Sequence, residues 1–227
     1  MKPRRVSGIL CHPTCMPGPD GIGDLGEGTR RFLDFLEKAG QRLWQVLPLG
    51  PTGYGDSPYQ PFSAFAGNPL LISLEELLAE GLLAPEDLAD RPFFAPDAVD
   101  YGAVIAHKDR VLRRSHARFL RDGTLVARSD YLAFCEENAT WLDDFALFMA
   151  LKLHFGWASW VDWPEAIALY QPEAVSDWRQ RLAGEVGYRR YLQFLFGAPG
   201  GGVRAPSLIN HLRRRPIRRG GVSVAAG

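Results

Sequence analysis

Leu43-Trp-Gln-Val-Leu-Pro-Leu49 runs directly into Gly50-Pro-Thr-Gly-Tyr-Gly-Asp-Ser-Pro-Tyr-Gln-Pro-Phe-Ser-Ala-Phe-Ala-Gly-Asn68. The first stretch is short and apolar and suits a buried strand, while the second is so rich in Gly and Pro that it must turn rather than continue as strand or helix. Tyr54, Tyr59, Phe62 and Phe65 offer flat apolar faces that can stack on the C–H face of a pyranose. Asp56, Ser57, Gln60, Ser63 and Asn68 can exchange hydrogen bonds with its hydroxyls. The loop therefore has the chemistry of a sugar site, although each of these residue types is also common in any long buried connection.

Working outward, residues 6–10 read as another short buried strand. Residues 24 or 27 to 38 read as an amphipathic helix with Phe32, Leu33, Phe35 and Leu36 on or near one face and Gly40 as its stop. Strand, helix and strand form a βαβ unit, the repeat of an α/β barrel, and a loop that follows a parallel strand is where such barrels keep their sites. Ser73 is expected to cap a helix over residues 73–81 that points Leu74, Leu77 and Leu78 inward and ends at Gly81. Residues 83–100 read as an extended connection.

Beyond residue 104 the pattern is helical, with helices expected over 104–121, 129–139, 141–155, 164–169 and, as one long element, 172–196. Trp141, Phe145 and Phe148 make a stripe suited to helix packing. Trp157, Trp160 and Trp163 could stack on a sugar or fill space between helices, and the packing role is the expected one. The organisation predicted is a βαβ part with the sugar-site loop over residues 1–82, a mainly helical subdomain over 83–196 and a tail over 197–227.

Of 227 residues, 46% are hydrophobic and 23% charged, with a net charge of zero, which is an ordinary globular composition that gives no steering toward nucleic acid or anionic membrane. Only residues 6–10 are apolar near the N-terminus, so neither a signal peptide nor a membrane span is indicated and a cytoplasmic location is expected. Cys11 and Cys15 flank His12 as C-x3-C, but no second ligand pair follows, so metal binding is not expected. Cys11 reads as a small buried residue at the end of the first strand, with Cys15 in the loop beyond it.

The quoted stretch, with Ser7-Gly-Ile-Leu-Cys-His-Pro-Thr14, Gly21-Ile-Gly-Asp-Leu-Gly26, Phe32-Leu-Asp-Phe-Leu36 and Asn138-Ala-Thr-Trp-Leu-Asp-Asp-Phe-Ala-Leu-Phe-Met-Ala-Leu-Lys152, resembles the 4-α-glucanotransferases, or amylomaltases, of glycoside hydrolase family 77. The resemblance extends from Val6 to about Phe196. It implies a (β/α)8 barrel, present here as its first strands with a helical insertion. It also implies an enzyme that transfers α-1,4-glucan segments between maltooligosaccharides through a covalent intermediate. By the same resemblance Tyr59 is an active-site aromatic, and Asp56 and Ser57 reach donor-side hydroxyls. Tyr54 and Tyr101 would form a second glucan groove. No cofactor or metal is implied, because the chemistry needs only carboxylates.

Those carboxylates are what the sequence lacks. A retaining transfer uses two carboxyl groups about 5–5.5 Å apart. The family carries them in later motifs of the Arg-x-Asp-His type, none of which occurs here, so this chain alone is expected to be inactive, at most a glucan-binding remnant. After Phe196 the composition changes abruptly. Residues 197–227 hold seven Gly and six Arg with no acidic or aromatic residue, leaving the preceding part at a net charge of −6 and the tail at +6. A shifted reading frame or a truncation is the expected origin, and disorder the expected state. The lesser alternative is a basic arm for nucleic acid or an anionic surface built on Arg213, Arg214, Arg215, Arg218 and Arg219.

Overall fold

A computed structural model describes residues 7–53 and 57–197. The chain divides into two compact units, Met1–Gly123 with Leu195–Gly227, and Thr124–Phe194. The first unit therefore retains the long helix Tyr101–Asp122, which the sequence pattern grouped with the helical subdomain.

In the first unit β1 (Gly8–Leu10) pairs in parallel with β2 (Leu43–Gln45), Ile9 lying opposite Trp44. Cys11 adds one more bond by donating its N–H to the Gln45 carbonyl at 3.0 Å. The ladder is shorter than the expected 43–49 because the chain after β1 turns at once into a 3-10 turn, Pro13–Cys15, and Pro48 has no N–H to offer. Between the strands, α1 (Glu27–Lys38) buries Leu33 and Leu36 against Trp44 and Val46, with Phe32 edge-on to the Trp44 ring at 5.6 Å. The Trp44 indole N–H donates to the Cys11 carbonyl at 2.7 Å, so the ring that fills the space under α1 also ties the strand ends together. Cys11 itself is only half-buried.

α2 (Leu74–Ala79) is the expected helix, followed by Gly81 at φ +74°, but Ser73 does not cap it. Its hydroxyl is turned instead to the Asp24 carboxylate. α3 (Tyr101–Asp122) starts at Asp100, whose carboxylate accepts from the Ala103 N–H at 3.0 Å. Polar groups then dock α3. Lys108, fully buried, donates to the carbonyls of Leu70 and Ile72 at 2.6 and 2.8 Å, and His107 Nε2 lies 2.9 Å from Asp20, itself 3.1 Å from Arg91. Residues 83–100 are held down by a 3-10 turn, Pro85–Leu88, and by Asp87 and Asp90 facing Arg110, Arg114 and Arg118 of α3.

The second unit is helical: α4 (Leu125–Glu137), α5 (Ala139–His154), α6 (Glu165–Ala168), α7 (Pro172–Arg181) and α8 (Ala183–Gly197), whose last residues belong to the first unit. Ala146, Leu147, Ala150, Leu151, Trp163, Ile167, Val175 and Val186 form its core. Trp163 packs between Phe148 and Phe155 at 5.7 and 5.5 Å, the packing role expected for it, whereas Trp157 and Trp160 are half exposed. The single helix expected over 172–196 breaks at Leu182. Gly184 and Gly187 weaken the start of α8, and the break lets Trp178, Leu182 and Val186 all reach the same core. Among the described residues no helix is long and apolar enough to cross a membrane.

Candidate functional site

The loop after β2 is a closed structure. Its ends meet where the Asn68 N–H donates to the Leu49 carbonyl at 2.8 Å, and its arms are joined by an antiparallel bridge between Thr52 and Pro61 and by Phe62 N–H to Pro51 carbonyl at 3.1 Å. Gly53 lies so near the opposite arm that a Cβ there would sit 2.8 Å from the Gln60 carbonyl oxygen, which is why the crossing needs glycine. At the base, a Cβ on Gly67 would enter the Phe196 ring at 2.0 Å.

Several polar side chains of this loop serve the backbone. The Ser63 hydroxyl accepts from the N–H groups of Phe65 and Ala66, both at 3.1 Å, and the buried Asn68 side chain accepts from the Leu70 N–H at 3.0 Å to start the 3-10 turn Pro69–Leu71. These two residues, offered by their chemistry as sugar contacts, shape the loop. Ser57 does the same at the tip, where its hydroxyl accepts from the Tyr59 N–H at 3.4 Å. Tyr59 and Phe65 are 70% and 74% exposed, on the loop that leaves the carboxyl end of a parallel strand pair, the end at which α/β folds bind ligands. Tyr54 and Asp56 lie outside the described residues.

Tyr101 stands elsewhere in the unit, as the first residue of α3. It is half-buried against Ile22, Leu70 and Val104. A depression of about 960 Å³ between residues 14–22 and 92–99 is lined by Arg31, Phe93 and Phe94 among others, and includes none of Ser57, Tyr59 and Tyr101.

His12, weighed from the sequence only as a metal ligand, follows β1 and caps the 3-10 turn Pro13–Cys15. Its Nδ1 lies 2.7 Å from the Thr14 hydroxyl, and burial holds its pKa below the ordinary histidine value, with the Pro48 carbonyl acting in the opposite direction. The Cys11 thiol is pushed up by burial and by the neighbouring Cys15. Among the described residues no three His, Cys, Asp or Glu side chains are grouped to hold a metal ion.

A parallel β-α-β unit with an aromatic, hydroxyl-bearing loop at the carboxyl ends of its strands has the arrangement in which α/β folds bind ligands. Comparison makes that specific. The family model of the 4-alpha-glucanotransferases matches residues 11–199, and the chain belongs to that family. It is 48% identical over 195 residues to a 4-alpha-glucanotransferase of Synechocystis sp. and 46% identical over 201 residues to one of Thermus thermophilus. These alignments cover 86% and 88% of this chain but 39% of each relative, so the chain spans about two-fifths of their length. The solved amylomaltase of Streptococcus agalactiae in complex with acarbose superposes on 84% of this chain and 38% of its own with a TM-score of 0.79 at 38% identity.

Proposed function

We propose that this chain is the glucan-holding N-terminal part of a 4-α-glucanotransferase that moves α-1,4-glucan segments between maltooligosaccharides by a retaining double displacement. The observation that carries the reading is the family match over residues 11–199 together with the closed loop that presents Tyr59 and Ser57 at the strand ends. Tyr59 would stack on a glucose ring beside the reacting bond while Ser57 and Asp56 bind donor-side hydroxyls, and Tyr54 and Tyr101 would form a second groove for a longer glucan. The strand pair would open a (β/α)8 barrel, with the helical unit as an insertion. No metal or organic cofactor takes part in this chemistry, which runs on carboxylates. A cytoplasmic location is proposed with it; a Solanum tuberosum relative, 43% identical, is described as chloroplastic/amyloplastic.

The two carboxylates of such a transfer are not supplied by this sequence, which contains no Arg-x-Asp-His motif. That observation favours a second reading, a glucan-binding chain without catalysis. Incubation of the 227-residue chain with maltotriose separates the two. Release of glucose with the appearance of longer oligosaccharides means that the chain is catalytic as it stands. Silence, with maltoheptaose binding that Tyr59→Ala weakens about three- to tenfold, means that it holds glucan and leaves the chemistry to other residues. Unchanged binding in Tyr59→Ala would remove the loop from the glucan site.

A further inference from the structure

In α7, Pro172, Val175, Ser176, Arg179 and Gln180 follow the i, i+3, i+4, i+7, i+8 spacing of one helix face. With Asp144 of α5 and Tyr170 of the turn before α7 they line a depression of about 670 Å³ that lies wholly within the helical unit. That volume falls within the roughly 300–1,000 Å³ typical of small-molecule sites. Its polar wall is organised. Asp144 Oδ1 accepts from the Tyr170 hydroxyl, and Arg179 Nη2 stands 3.5 Å from the same oxygen. Tyr170 holds this position at φ +54°, a left-handed conformation that costs a non-glycine residue about 1–2 kcal/mol and that tends to be kept where a site needs it.

The charge of the wall points to the class of ligand. The single carboxylate and single guanidinium of the wall cancel in charge, which disfavours an anion or a cation and suits a neutral group that both accepts and donates. Vicinal sugar hydroxyls do both, bridging a carboxylate and a guanidinium. The apolar surface of Pro172 and Val175 and the half-exposed Tyr170 ring offer a face for the sugar's C–H bonds.

We infer that the depression formed by Asp144, Tyr170, Ser176, Arg179 and Gln180 is an oligosaccharide-binding subsite of the helical unit, separate from the loop after β2. That the sugar is an α-1,4-glucan rests on the function proposed above; that the site takes a neutral sugar rests on the wall itself. Its role is anchoring: the helical unit gains its own point of attachment for glucan.

The test is a titration of the 15N-labelled full chain with maltotetraose, followed at backbone amides. Saturable shifts are expected at Tyr170, Ser176 and Arg179. Arg179→Leu should weaken them about tenfold, the worth of one charge-assisted hydrogen bond. Gln180→Ala, an exposed change that leaves the fold intact, should weaken them less, and Tyr59→Ala should leave them unchanged. Shifts at these residues with silence at 57–65 would uphold the subsite and overturn the loop reading. Shifts at 57–65 alone, an Arg179→Leu protein that binds as well as wild type, or a response to inorganic phosphate in place of the sugar would overturn the subsite.

Discussion

Each unit of the molecule contains a buried lysine that donates to two backbone carbonyls, and the two make opposite use of the same device. Lys152, near the end of α5, reaches the carbonyls of Trp157 and Ala158 at 2.7 and 2.8 Å, five and six residues on, and so closes the turn that follows its own helix. Lys108, in the middle of α3, reaches those of Leu70 and Ile72, 38 and 36 residues back. One extends the ordinary affinity of a helix C-terminus for a cation. The other is a long-range pin, set in a neighbourhood where burial lowers the Lys108 pKa while Asp24 and Asp20 oppose that shift, and where burial raises the Asp24 pKa. The Lys152 contact thus closes a local turn, whereas the Lys108 contact joins distant segments of the first unit.

Replacing each lysine by methionine is the sharpest way to break this contrast. Lys108→Met leaves two buried carbonyls unpaired and removes the positive charge beside Asp20 and Asp24, so a loss of about 3–5 kcal/mol is expected in denaturant unfolding of the first unit. Lys152→Met frees two carbonyls at a helix end where water can reach them, and a loss of about 1–2 kcal/mol is expected. Equal losses would mean that sequence separation does not set the worth of the contact.

Ser63 extends the comparison to the loop. Its hydroxyl bonds two amides only two and three residues away, a local device like that of Lys152 on a smaller scale. Ser63→Ala is expected to cost about 1 kcal/mol, with faster amide exchange at Phe65 and Ala66 and slow exchange retained at Lys108. Loss of protection at both places would show that loop and pin open together.

What could be read in the sequence follows the same division. α1, α2 and α5 announce themselves by the period of their apolar residues, and Gly40 and Gly81 by their place after a helix. The break at Leu182 is missed because the apolar period of 172–196 runs on through it, and only the shared core of Trp178 and Val186 requires the bend. In the loop, composition named Tyr54, Tyr59, Phe62 and Phe65 alike, and could not tell that Tyr59 and Phe65 stay largely exposed while Phe62 is half-buried. It could not show that Ser57, Ser63 and Asn68 each accept from the backbone N–H two residues on, because a hydroxyl or amide is equally suited to a sugar and to a turn. The pocket at Asp144 and Arg179 was invisible for a further reason: its members are ordinary helix-surface residues until Tyr170 turns left-handed beside them.

His12 supplies the smallest test and the counterpart of both lysines, a half-buried base whose charged form the surroundings oppose. Burial lowers its pKa in the folded chain. Between that lowered value and the unfolded value of about 6.5, the unfolded chain binds the extra proton and the folded chain does not, so stability rises with pH across the window. The contribution is fully present above about pH 6.5 and is lost as pH falls through the folded value. The unfolding free energy of the wild type should therefore drop more steeply on acidification than that of His12→Gln, with the two curves parallel above neutrality. Parallel curves throughout would mean that the imidazole is solvated in the native chain, and that the carboxyl end of β1 is open to water.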